Sequence, residues 1–263
     1  MRRYALVLTA LLAAAAQAGA QGTPPAAPAT PAEKAAALDK YLLRWEQEMT
    51  KVKTLAAEVT RIDKDRTFET TQKKVGFAQY LKAGTGATAL NLGLLELKHD
   101  ARGEVAEKYV CTGTYLYQFV PAQKEIRAYE VPKPKAGEGD NNFLSFLFGM
   151  KADDAKKRYS LSLAKEDKYY IYVDILPRNA PDRADFKRAR LVLNKEGANA
   201  FLPRQLWFEH ANGNEVTWDI PRLQSGVELD RRNFDAPKPP PGWKLVVVPK
   251  NPTPPPSVVR PKR

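Results

Sequence analysis

Two histidines and one cysteine are the chain's only imidazole and thiol groups for nucleophilic or metal chemistry. None sits in a pattern that would use it. His99 and His210 lack the spacing to Cys, His or acid that metal binding requires, and each reads as a surface or hairpin residue. Cys111 lies beside Thr112 and Gly113 in a strand-like run with nothing to lower its pKa, which makes it a small buried hydrophobe. No serine occupies a nucleophile elbow, and Gly84-Thr85-Gly86-Ala87 lacks the spacing and the strand-turn-helix context of a phosphate loop. The acid pair Asp153-Asp154 sits in a polar stretch where solvation accounts for it. Aromatic and basic residues interleave from Lys168 to Tyr172, but the charge of the body is too small for nucleic-acid stacking. These residues imply no catalytic site, no metal and no cofactor.

The groups left to do work are large and apolar. Residues Phe143 to Phe148 hold five of them in six positions and follow a polar stretch from Lys135 to Asp140. Two readings fit: a short helix that plugs a core, or a lid over a cavity.

The elements that must position such groups begin at Thr30-Pro31-Ala32-Glu33, which combines an N-cap hydroxyl, a proline at the first helical position and a glutamate placed to close a capping box. Leu38, Tyr41, Leu42, Trp45, Met49 and Val52 then recur at helical spacing. One long amphipathic helix is predicted. After it the period changes to two, with strand-like runs at 55–62, 75–81, 87–97, 104–111, 114–120, 125–131, 159–164, 169–176, 186–193, 204–209 and 215–220. The connections are too short to hold crossover helices, so an antiparallel sheet is predicted. Asn212-Gly213 suits a two-residue hairpin, which would pair Trp207 with Trp218 on one face and send Leu206 and Phe208 to the other. Both faces of several strands carry bulky apolar groups, so both need cover.

The ends read differently. Arg2 and Arg3, an apolar run from Ala5 to Ala16 and small residues ending Ala18-Gly19-Ala20 form a secretory signal, with the mature chain expected near Gln21. No cysteine follows for lipid anchoring, and no other segment is long enough to cross a membrane, so a soluble exported protein is expected. Prolines cluster at 21–31 and again after Ala236, marking extended tethers. The resulting division is a signal peptide at 1–20, a linker at 21–30, one domain at 31–243 and a Pro-rich basic tail at 244–263. The net charge of +12 shrinks to +4 over the body once two arginines of the signal and six Lys or Arg after Ala236 are set aside. That balance excludes a strong polyanion-binding surface and nucleic acid as a partner; the basic tail is a candidate contact for an anionic membrane or cell-wall polymer.

Phe201-Leu202-Pro203-Arg204-Gln205-Leu206-Trp207-Phe208-Glu209, then Asn212-Gly213-Asn214 and Val216-Thr217-Trp218, resemble the closing hairpin of the LolA outer-membrane lipoprotein carrier family. Leu229-Asp230, Phe234 and Pro240-Pro241-Gly242-Trp243 resemble its final segment. Upstream, the strand at Gly76, Lys108-Tyr109 and Gly113-Thr114-Tyr115-Leu116-Tyr117 follow in the family's order, so the resemblance spans roughly residues 38–243. It implies an α+β fold: a strongly curved antiparallel sheet forming an unclosed barrel, with helices over its concave face. It also implies a non-catalytic periplasmic carrier that holds acyl chains of lipoproteins or lipids in an apolar cavity, and membrane-bound donor and acceptor proteins as partners. A free acyl chain in water costs about 0.8 kcal/mol per methylene, so such cargo needs an apolar shield rather than reactive groups.

On this reading Phe143, Phe146 and Leu147 belong to a lid or cavity lining. Tyr115, Tyr117, Trp207 and Trp218 line the cleft, and Trp45 packs the helix over it. A monomer is expected. The family's well-known carriers have an arginine after the glycine strand that latches the lid. Lys82 is the nearest match here, and it lacks the planar fork of donors, so the same latch is not expected. The alternative reading is an envelope sensor or scaffold that uses the same fold to bind a protein partner; a large preformed cavity would favour carriage, and a filled core with an exposed apolar patch would favour the scaffold.

Overall fold

In a computed structural model, residues 30–84, 89–131 and 151–249 are described. The first helix, α1 (Pro31–Lys51), starts where the sequence places it. Glu33 N–H donates to the Thr30 hydroxyl at 3.3 Å, and the Thr30 N–H donates to the Glu33 carboxylate at 2.7 Å, closing the capping box. Leu38, Leu42, Trp45 and Met49 form its buried stripe. The stripe recurs every three or four residues, so one side of the helix seals against the sheet while the other stays charged.

All eleven predicted runs are strands: β1 (Thr54–Asp65), β2 (Thr70–Ala83), β3 (Leu90–His99), β4 (Val105–Cys111), β5 (Tyr115–Val120), β6 (Glu125–Glu130), β7 (Tyr159–Glu166), β8 (Tyr170–Pro177), β9 (Arg188–Asn194), β10 (Pro203–Glu209) and β11 (Glu215–Ser225). Two short helices precede β7 and β9: α2 (Ala152–Arg158) and α3 (Ala180–Asp185). A twelfth strand, β12 (Lys244–Val248), lies in the segment assigned from sequence to the tail. Folded structure therefore continues past Trp243.

The strands form one sheet in the order β12-β6-β5-β4-β3-β2-β1-β11-β10-β9-β8-β7. The chain starts in the middle, meanders from β1 to β6, resumes at the opposite edge with β7 and meanders back until β11 pairs with β1. Every neighbouring pair is antiparallel except β12 with β6, which is parallel. The sheet is thus mixed, curved and unclosed, a correction to the fully antiparallel expectation. It arises because the chain after β11 returns to the far edge and runs alongside β6.

Cross-strand register defines two faces. The inner face, against α1, carries Ile171, Val173 and Ile175 of β8, Ala189, Leu191 and Leu193 of β9, and Leu206 and Phe208 of β10, all in one core with the helix stripe. The outer face has its own smaller cluster, Val110, Tyr117, Ile126 and Ala128, packed by Trp243. This accounts for β4 to β6, which are apolar on both sides; the outer-face Tyr172 and Leu176 of β8 and Trp207 of β10 lie outside that cluster, and Leu176 is 50% exposed.

Gly76 marks a close approach. It sits mid-strand in β2 on the inner face, and a Cβ there would lie 1.8 Å from the Glu96 carbonyl oxygen of β3. Only glycine lets the two backbones meet at this point.

Candidate functional site

The inner face changes character along the sheet. Under α1 it is a closed core; across β1 to β6 it is an apolar shelf of half-buried residues. Register places Leu55, Tyr80, Gly93, Cys111, Leu116 and Tyr129 in one row across six strands. The next row runs Ala57, Ala78, Leu95, Tyr109, Gln118 and Arg127. Each row exists because alternate residues of a strand share a face.

The small residues Gly93 and Cys111 lie side by side between Tyr80 and Leu116, so the first row has a low floor with bulky walls. A Cβ added at Gly93 would meet the Cys111 Cβ at 3.6 Å, an ordinary contact, so the notch has room. The phenols on the shelf keep their polar ends partnered: Tyr80 donates to Asn91 at 2.8 Å, Tyr129 donates to Gln118 at 3.2 Å, and Gln118 donates to the Tyr109 oxygen at 3.4 Å. Burial raises the Tyr109 pKa above its ordinary value, with Glu107 adding to the effect, so the group is a neutral phenol at physiological pH.

At the far end of the shelf the apolar rows give way to ions. Arg61 and Lys74 pair across β1 and β2 on the inner face. Arg61 reaches Asp63 at 2.8 Å and Glu107 at 3.0 Å, and Lys74 reaches Asp63 at 3.1 Å and Glu107 at 2.6 Å. Two cations and two anions cancel, so the quartet ends the apolar surface without adding net charge. The Arg61 guanidinium also lies over the Trp218 ring, 5.2 Å from its centroid.

The residues proposed from sequence divide between the faces. Trp45 is 0% exposed in the core under α1, and Trp218 packs against that core on the inner face. Trp207 is on the outer face: it opposes Thr217, while Trp218 opposes Leu206. The expected pairing of Trp207 with Trp218 is therefore corrected by one residue. The reason is the loop: His210 N–H donates to the Asn214 carbonyl at 2.9 Å, and Gly213 takes φ +84°, so three residues rather than two make the turn. Trp207 instead donates its indole N–H to Glu215 at 3.1 Å and lies under Arg188.

Tyr115 and Tyr117 are also on the outer face, in the cluster with Val110, Ile126 and Ala128. They do not line the inner shelf. Phe143, Phe146 and Leu147 lie outside the described residues, as do the signal and most of the tail. Sequence reasoning missed Tyr80, Leu95, Tyr109, Leu116 and Tyr129, although Leu116 sits between the two tyrosines it chose. The alternation was visible; which half of it faced inward was not.

Two open depressions occur elsewhere. One, of about 380 Å³, lies between the β1–β2 and β10–β11 loops and is lined by Lys64, Asp65, Arg66 and Glu215 among others. The other, of about 340 Å³, lies over β1, β2 and β11, with Glu58, Phe77, Gln79 and Arg222 in its lining. Both are open to solvent. No group of three or more His, Cys, Asp or Glu among the described residues is placed to hold a metal, and no described helix is long and apolar enough to cross a membrane. His210 lies on a loop with Nδ1 2.8 Å from the Asp185 carbonyl oxygen, and the Cys111 thiol points to the Asn91 carbonyl at 3.5 Å.

No family model matches the sequence, and no curated protein matches it significantly. Among solved structures, the chain is similar to a conserved protein from Thermus thermophilus, at 10% identity and a TM-score of 0.49 over 80% of this chain and 98% of that one. It is similar to an outer membrane lipoprotein-sorting protein domain from Vibrio parahaemolyticus, at 13% identity and a TM-score of 0.38 over 75% and 97% of the two chains. It is also similar to a LolA superfamily protein from Nitrosomonas europaea, at 11% identity and a TM-score of 0.35 over 75% and 97%. The architecture is an unclosed curved sheet with a helix against its inner face.

Proposed function

We propose that this protein is an exported periplasmic carrier that binds acyl chains of lipids or lipoproteins on the inner shelf of β1 to β6 and passes them towards the outer membrane without catalysis. The observation that carries this reading is the shelf itself: a largely apolar surface that adjoins the core yet is only half-buried, with a low floor at Gly93 and Cys111 and with Gln118 and Arg127 at its β5–β6 end. Each methylene sheltered there gains about 0.8 kcal/mol, so a single acyl chain has ample driving force without any reactive group. The ion quartet at the far end sets where the apolar surface stops. The resemblance of the sequence to lipoprotein carriers supports the same cargo, and the residues Phe143, Phe146 and Leu147 are proposed as its cover on the strength of their sequence alone.

The test is native mass spectrometry of the mature protein purified from its own envelope, followed by lipid extraction. Co-purifying acylated species are expected, and they should be lost in Gly93→Leu, which fills the notch without adding charge, and in Phe146→Glu. An empty protein that takes up no lipid, or one that keeps its lipid in Gly93→Leu, would overturn the reading.

The second reading, an envelope sensor or scaffold that binds a protein partner, is favoured by a different observation. Among the described residues the core is filled, both depressions are open, and exposed apolar residues gather on β12.

A further inference from the structure

The rim of the shelf nearest the notch is charged, and its charge is not balanced. Elsewhere on the inner face of β1 to β6, each described lysine or arginine has an acid beside it. Arg61 and Lys74 share Asp63 and Glu107, and Arg127 lies 3.2 Å from Glu125. Lys82 departs from this rule. It lies two residues beyond Tyr80 on β2 and so shares its face, and among the described residues no carboxylate pairs with it. Directly across stands Lys53, whose carbonyl accepts from the Lys82 N–H at 2.7 Å. Lys53 has no described acid either, whereas Lys51, two residues earlier, is held by Glu48 at 2.9 Å. Like charges at facing positions of adjacent strands repel, so the pair carries a local cost that a bound anion would remove.

A third strand completes the row. Asn91 of β3 faces Lys82. Its side-chain oxygen accepts from the Tyr80 hydroxyl at 2.8 Å, which leaves the amide NH2 as a donor. Lys53, Lys82 and Asn91 thus line up donors across three strands. The next row inward is Leu55, Tyr80, Gly93 and Cys111, the low part of the shelf. The two ends of the shelf therefore differ in kind: the quartet at one end is electrically closed, and the row at the other end carries two cations without described counter-ions.

We propose that the shelf selects anionic amphiphiles, with the acidic head, a carboxylate or a phosphate, held by Lys53, Lys82 and Asn91 and the apolar chain lying along the notch at Gly93 and Cys111. The inference rests on the acyl-binding reading and adds to it the charge of the cargo and the direction in which it lies. An acid at this rim gains charge-assisted hydrogen bonds and relieves the repulsion between the lysines. A neutral head gains neither, and a cationic head adds to the repulsion.

The test is isothermal titration calorimetry of the full mature chain with dodecanoate, dodecyl phosphate, dodecyl maltoside and dodecyltrimethylammonium, each below its critical micelle concentration. Both acids are expected to bind about three- to tenfold more tightly than the maltoside, the gain that exposed charge pairs allow, and the difference should shrink at high salt. The quaternary ammonium should bind most weakly. Whichever acid binds more tightly identifies the head as carboxylate or phosphate. In the double variant Lys53→Gln, Lys82→Gln the preference for acids should vanish, and in Lys82→Arg, which keeps the charge, it should persist. Equal native affinities for the acids and the maltoside, all lost in Gly93→Leu, would overturn the inference and leave acyl-chain binding standing. A preference for acids that survives the double substitution would also overturn it, because the head would then lie elsewhere. Binding of none of these ligands would overturn both the inference and the reading beneath it.

Discussion

Glu209 shows how much a single side chain on this sheet is held by its neighbours. It sits at the end of β10, and it accepts a hydrogen bond from Arg188 and another from Lys187 at 3.1 Å. Those two bonds hold its pKa below the ordinary 4.5. A carboxyl with a depressed folded pKa stabilises the fold above its unfolded pKa and loses that contribution as pH falls through the folded value. We expect the thermal midpoint of the native protein to fall more steeply than that of Glu209→Gln between pH 5 and pH 3, and the two to run in parallel above pH 6. Parallel curves throughout would show that the bonds do not differ between folded and unfolded chains. Elsewhere Asp182, buried at 2% exposure, pairs with Arg158, whose guanidinium lies over the Tyr159 ring. It ties α3 to the junction of α2 and β7.

Among the elements, β2 carries the tightest constraint. At Gly76 the backbone of β3 passes where any side chain would stand, so Gly76→Val must push the two strands apart. Urea titration should show a loss of at least about 2 kcal/mol, as expected for steric overpacking against a neighbouring backbone. A change below about 0.5 kcal/mol would show that β2 and β3 separate freely there. Sequence reading identified the helix and the strands because their signals are local. The box at Thr30 and Glu33 announces α1, and period-two alternation announces each strand from β1 to β11. It missed β12 because Leu245 to Val248 is short, lies between proline-rich stretches and is apolar without alternation. It missed α2 and α3 because helices of seven and six residues carry too few turns to show a stripe.

At the scale of the whole molecule, the position of β12 separates two roles that a single C-terminal tail would merge. A chain ending at Trp243 loses a strand from the sheet and uncovers the edge of β6; one ending at Pro249 keeps the sheet and loses only the segment after it. We expect the first truncation to lower stability by about 1–3 kcal/mol and the second to leave it within about 0.5 kcal/mol. If the basic tail contacts anionic membranes, the Pro249 truncation should lose binding to anionic liposomes while retaining the native melting curve. Undiminished liposome binding by that truncation would exclude the tail as the contact. Between these surfaces, the described residues show a close-packed core under α1 and a half-buried shelf beside it.

The sequence by itself determined what depends on neighbours in the chain: where α1 begins, that eleven strands follow, and that both faces of the sheet need cover. The tertiary structure alone decided which side each residue serves. In a strand, a shift of one residue exchanges the two faces. The three-residue turn after His210 made that exchange at the last hairpin, sending Trp207 outward and leaving Trp218 inward. In β5 the alternation itself was legible, but only pairing with β4 and β6 put Tyr115 and Tyr117 against the outer cluster and Leu116 on the shelf. Local alternation fixes the period of a strand; the sign of that alternation is set by partners distant in sequence.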